Sequence, residues 1–167
     1  GLVPVAAAAD PDGALAEARR GHPDVALVDY HLREGDGLLL CRDLKSLPAP
    51  PRVLIYSAFA DANLGLPAAI AGADGLVDKG TPTHDLFERV RTVARGGTAL
   101  QVTAEAMTAA AARLETRDLP ILGMLMERTP TAEIAKVLRL DEGELGSRVE
   151  AMLKRLSIRT GHDPQRA

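Results

Sequence analysis

Asp29, Ser57 and Lys79 each stand at or just past the end of a short apolar run, at residues 25–28, 53–56 and 75–77. In an open parallel sheet the working groups gather at the carboxyl ends of strands, so a carboxylate, a hydroxyl and an ammonium on three strands are expected to share one rim. A carboxylate so placed can attack a phosphoryl group and form an acyl phosphate. A lysine reaching the same point would offset the charge of the phosphoryl oxygens, and a small hydroxyl would hydrogen-bond to one of them.

The elements that must position these groups are legible as an alternation of apolar runs with amphipathic segments, the pattern of a parallel sheet covered by helices. A fourth apolar run, residues 3–9, reads as a further buried strand. Ala14, Leu15 and Ala18 make one helical stripe, Leu40, Leu44 and Leu47 a second, and Leu86, Val90 and Val93 a third. Thr81 is expected to cap the third helix with Pro82 at its first position, and Gly96-Gly97 to stop it. Beyond Gly97 the strand pattern ceases. An Ala-rich stretch from residue 103 to 112 reads as a connecting helix, followed by helices near residues 120–126, 130–137 and 142–156. Asp141 with Glu144 forms a capping box for the last, whose buried stripe is Leu145, Val149, Met152 and Leu156. The organisation expected is a sheet domain over residues 1–97, a helical linker over 98–113 and a small all-α domain over 114–167.

Composition narrows the class. The 167 residues are 46% hydrophobic and 26% charged, an ordinary globular balance. With aromatics at 2% and no Trp, the core must be aliphatic and no base-stacking platform is expected. Residues 1–113 carry 11 Lys and Arg against 14 Asp and Glu, and residues 114–167 carry 9 against 9, so neither half is a basic patch. The single Cys41 excludes an intrachain disulfide and fits a reducing cytoplasm; it reads as a buried small hydrophobe. Residues 2–9 lack the positive flank of a secretory signal, and no stretch has the roughly 18 apolar residues of a membrane helix.

The segment His22-Pro-Asp-Val-Ala-Leu-Val-Asp29 resembles the third-strand motif of two-component receiver domains, and Gly35-Asp36-Gly37 the loop after it. Residues 53–58 resemble their fourth strand with its switch hydroxyl, and residues 71–79 their fifth with its lysine. The resemblance implies a flavodoxin-like α/β fold in which Asp29 accepts phosphate from a sensor histidine kinase, Ser57 reports it and Lys79 is the counter-charge. It also implies a magnesium ion held by Asp29, the backbone carbonyl of His31 and an acidic pair from the first strand. Residues 2–9 and the helix after them align with the second strand and helix of the family, so the first strand, its carboxylates and the first helix are missing. Asp10 is too close in sequence to Asp29 to replace that pair. Because the family sets the first strand between the second and third, the chain is expected to be a fragment or to have the gap filled by another segment or protomer. Arg33 and Leu76 also depart from the family, standing where a proline and a Tyr or Phe are common. The bland alternative is a degenerate receiver in which Asp29 and Lys79 form only a buried ion pair.

From Leu114 to Arg159 the sequence resembles, without a gap, the C-terminal helix-turn-helix domain of LuxR-type (NarL/FixJ-like) regulators. The matching frame is apolar and runs from Leu114, Ile121 and Leu122 to Leu156 and Ile158, with Glu133-Ile-Ala and Lys154-Arg-Leu as motif pieces. The resemblance implies that the helix from Glu142 enters the major groove of promoter DNA in a homodimer. Contact positions usually basic or hydrogen-bonding become Ala132, Glu144 and Gly146, and Asp141 and Glu142 add negative charge. Phosphate neutralisation is left to Arg148, Lys154, Arg155, Lys136 and Arg159.

Two other classes stay open. A protein-interaction module, a pseudo-receiver docking another regulator, is favoured by the acidic recognition helix. An enzyme is not expected: there is no Walker loop and no G-x-S-x-G elbow, and His22, His31, His84 and His162 lack metal spacing.

Overall fold

A computed structural model of the chain describes residues 1–58, 60 and 62–156. Three of the four apolar runs form strands: β1 (Val25–Asp29), β2 (Arg52–Ser57) and β3 (Gly75–Asp78). They make a parallel sheet in the order β1-β2-β3, with Asp29 opposite Tyr56 and Ser57 opposite Asp78. β2 is central, and Val53, Leu54 and Ile55 are wholly buried, which is why this run shows no polar alternation.

The helices that cover the sheet are α1 (Pro11–Gly21), α2 (Gly37–Lys45), α3 (Ala62–Ile70) and α4 (Thr83–Ala94). Three of the four, α1, α2 and α4, follow the stripes read from the sequence, and α3 is an addition to that reading. Asp10 caps α1 by accepting from the Gly13 N–H at 2.8 Å, with Pro11 in the first turn. α4 starts one residue later than expected. Pro82 keeps an extended ψ of 143° and is itself the cap residue, with no side-chain cap bond, so Thr81 is not the cap. The Thr81 N–H instead donates to the Asp78 carbonyl in the turn leaving β3. At the far end Gly96, at φ 88°, ends the helix as expected.

Residues 3–9 do not form the expected strand. They pair with no other strand, and Val3 and Val5 are 79% and 63% exposed. A strand exists only through a neighbour. β1 is an edge that pairs with β2 alone, and in the receiver order another strand would lie between it and this run. Among the described residues none occupies that place, and Leu27 on β1 is correspondingly 47% exposed.

After α4 the chain is helical: α5 (Ala104–Ala111), a 3-10 turn at Thr116–Asp118, α6 (Leu119–Met126), α7 (Thr131–Leu138) and α8 (Glu142–Leu156). Thr103 caps α5 by accepting from the Ala106 N–H at 3.2 Å. The stretch joining sheet to helices is not loose. Ala99 bridges Gly75, its carbonyl accepting from Leu76 and its N–H donating to the Asp74 carbonyl. One buried cluster runs from Leu38, Leu64 and Ile70 through to Ile121, Ile134 and Met152. α3 is the shared wall, packing against β3 on one side and against α5, α6 and α8 on the other.

Candidate functional site

The chain reverses sharply after β1, because α2 must begin directly under the end of that strand. Gly35 takes φ 96°, Asp36 caps α2 by accepting from the Leu38 N–H at 2.7 Å, and the Gly37 N–H donates to the Tyr30 carbonyl. A β-carbon at Gly37 would lie 2.2 Å from the Asp29 carbonyl oxygen and 2.9 Å from the Tyr30 α-carbon. Both of these are backbone, so neither can yield without moving the strand end that carries Asp29. Gly37→Ala is therefore expected to cost about 1–3 kcal/mol of stability, read by urea denaturation.

The rim assembles two of the three expected side chains in direct contact. The Lys79 Nζ lies 2.6 Å from the Asp29 Oδ2, while the His31 N–H donates to the Asp29 Oδ1 at 3.0 Å. Lys79 also sits 5.7 Å from the Tyr56 ring centroid, and its backbone N–H is fixed by the Ser57 carbonyl at 2.8 Å. Ser57 lies on the neighbouring strand, one residue beyond the partner of Asp29, and is fully buried. Asp29 and Lys79 are instead 38% and 39% exposed, so the pair is not the buried bridge of the bland alternative. Such an open ion pair contributes little to stability.

The magnesium fit is poor. No group of three or more His, Cys, Asp or Glu side chains able to hold a metal occurs among the described residues. Asp29 and the His31 carbonyl would supply two ligands, and among the described residues no further pair of carboxylates joins them. Cys41 is wholly buried, its Sγ 3.4 Å from the Ala71 carbonyl oxygen. Burial pushes its thiol far above the ordinary range, as suits an inert core residue.

In the C-terminal helices the Asp141 carboxylate caps α8 by accepting from the Glu144 N–H at 2.7 Å, and Leu145, Val149, Met152 and Leu156 are buried as their spacing indicates. The Glu144 side chain does not return to the cap. It pairs with Arg148 at 2.8 Å, one turn on. Lys154 pairs with Glu150 at 2.6 Å, and Arg155 binds Asp118 at 3.4 Å together with Glu115. Three of the five residues assigned to DNA phosphates are thus held by carboxylates of this chain. Lys136 is exposed on α7, and Arg159 and Ile158 lie outside the described residues. Sequence reasoning missed Arg42 of α2, which donates to the Gly146 carbonyl of α8 at 3.1 Å and lies 3.7 Å from Glu150. Nothing local marks that contact, which spans 104 residues.

Residues 1–91 match the family model described as the response regulator receiver domain. The chain belongs to that family. The DNA-binding transcriptional activator DevR/DosR of Mycobacterium tuberculosis is 31% identical over 156 residues, which cover 87% of this chain and 72% of the relative. Response regulator RamR of Streptomyces coelicolor is 36% identical over 94 residues, 55% of this chain and 46% of RamR. A solved two-component response regulator of the LuxR family from Aurantimonas sp. SI85-9A1 superposes with a TM-score of 0.52 at 25% identity, covering 60% of this chain and 71% of that one. The chain is accordingly a response regulator with a helical region homologous to that of transcription regulators. No helix among the described residues is long and apolar enough to cross a membrane.

Proposed function

We propose that this response regulator accepts a phosphoryl group on Asp29 from the phosphohistidine of a sensor histidine kinase and controls transcription in the cytoplasm by binding promoter DNA through α8 as a homodimer. The observation that carries the reading is the 2.6 Å contact between Lys79 and Asp29 at the carboxyl rim of the sheet. In the transfer, an Asp29 carboxylate oxygen bonds to phosphorus as the phosphorus–nitrogen bond of the phosphohistidine breaks, and the electron pair returns to the imidazole nitrogen. Lys79 moves from the carboxylate to the incoming phosphoryl oxygens, and the Ser57 hydroxyl turns toward one of them. The described residues do not make a magnesium site. The division into a receiver over 1–97, a linker over 98–113 and a DNA-binding unit over 114–167 belongs to the same reading. The DevR/DosR likeness, which runs across all three parts, supports it.

Arg42 bears on how the DNA-binding unit is used, since it holds the early turns of α8 against α2. Arg42→Ala is expected to raise affinity for promoter DNA by roughly fivefold, the scale of a modest coupling energy. Carboxylates beside Arg148, Lys154 and Arg155 favour the second reading, a regulator that docks on protein. A gel shift on promoter DNA over a salt series, with phosphodonor-treated protein and Asp29→Asn, separates the two. The DNA reading requires a complex that strengthens on treatment, is lost with rising salt and does not strengthen in Asp29→Asn. No complex at low salt would favour docking on protein.

A further inference from the structure

Between the sheet layer and the C-terminal helices lies a cleft of about 1120 Å³. Leu100, Val102, Met107 and Leu125 give it an apolar floor, and one wall is made of cations. Asp74, 1% exposed, faces three of them: Lys45 at 2.9 Å, Arg52 at 3.0 Å and Arg128 at 3.5 Å. Its oxygens are saturated, since Oδ2 accepts from the Val53 N–H at 2.8 Å as well as from Lys45, and Oδ1 is shared by the two arginines. One carboxylate cannot neutralise three cations. Asp43 and Glu142 also line the cleft, but Asp43 lies 3.7 Å from Arg42, which lines it too. Arg128 ends α6 at φ 58°, a conformation in which glycine is the relaxed residue, and its guanidinium reaches both Asp74 and, at 3.4 Å, the Thr98 Oγ1. The cationic side chains remain a quarter to a half exposed, so a solute in the cleft has access to them.

We propose that this cleft binds a small organic anion with a compact apolar body, its charged head on Lys45, Arg52 and Arg128 and its body on the apolar floor. Arg42, Lys45, Arg52 and Arg128 outnumber Asp43, Asp74 and Glu142 by one in the cleft lining, so the excess charge is positive and favours an anion, whose oxygens planar guanidiniums suit. Because Lys45 and Arg52 belong to the sheet layer and Arg128 to the C-terminal helices, the ligand ties the two together, and its binding does not depend on Asp29 being a phosphoacceptor.

Isothermal titration of the full chain with phenyl phosphate tests the proposal, with inorganic phosphate as the head without the body. Phenyl phosphate is expected to bind the more tightly. Arg52→Gln and Arg128→Gln, each checked for native circular dichroism, are each expected to weaken it by about tenfold, the worth of one charge-assisted hydrogen bond. Arg52→Lys is expected to restore most of the loss, and Lys79→Ala to leave phenyl phosphate binding unchanged. Equal affinity in wild type and both arginine variants, no advantage over inorganic phosphate, or loss of binding in Lys79→Ala would each overturn it.

Discussion

Asp74→Ala is expected to lower the stability of the chain by about 3 kcal/mol at neutral pH, read by urea denaturation. The carboxylate is 1% exposed, and four donors converge on it: the Val53 N–H, Lys45, Arg52 and Arg128. Removing it abandons the Val53 N–H on the central strand and leaves three cations facing one another. The figure sits at the low end for a broken buried ion pair, since those cations keep part of their hydration. The pH dependence has a definite sign. Burial pushes the Asp74 carboxyl up, but the Val53 N–H, the Lys45 ammonium and the Arg52 guanidinium outweigh it and hold the carboxyl below its ordinary value. A depressed value in the folded state gives stability that is fully present above the unfolded value of about 4 and is lost as pH falls through the folded one. Asp74→Ala should therefore flatten the acid limb of a stability–pH curve while leaving its neutral plateau level but lower.

Lys79→Ala carries the second large effect. With the ammonium gone, phosphorylation of Asp29 by a small phosphodonor is expected to slow by about a hundredfold, the usual loss for removing one preorganised group that stabilises developing charge. Stability should change little, because the Lys79–Asp29 pair is more than a third exposed at both ends. A rate unchanged by the substitution would mean that the 2.6 Å contact serves no phosphoryl chemistry.

The rim was readable in the sequence because strand ends in parallel sheets are marked by the residue that follows an apolar run, and Asp29, Ser57 and Lys79 each follow one. What escaped did so for physical reasons. Residues 3–9 have the composition of a strand, but composition cannot state whether a neighbour exists to complete the ladder. α3 has no amphipathic stripe, since it is enclosed by the sheet on one side and α5, α6 and α8 on the other, and Gly65 and Pro67 further disguise it. The Gly65 position, where a β-carbon would come within 2.4 Å of the Gln101 carbonyl oxygen, shows how closely the later chain approaches that helix. Arg155 illustrates the opposite error. Its type and place on α8 suggest a phosphate contact, yet Asp118 and Glu115, some forty residues away, draw it into holding the helices together. Arg42 and Arg128 join sheet and helices through long-range contacts of the same kind.

Intact-mass measurement after incubation with a small phosphodonor, with and without added magnesium, is the most direct test of what the rim does. One phosphoryl group on the wild-type chain, absent from Asp29→Ala, is the expected result. A wild-type mass unchanged under both conditions, or an adduct that persists in Asp29→Ala, would contradict the assignment.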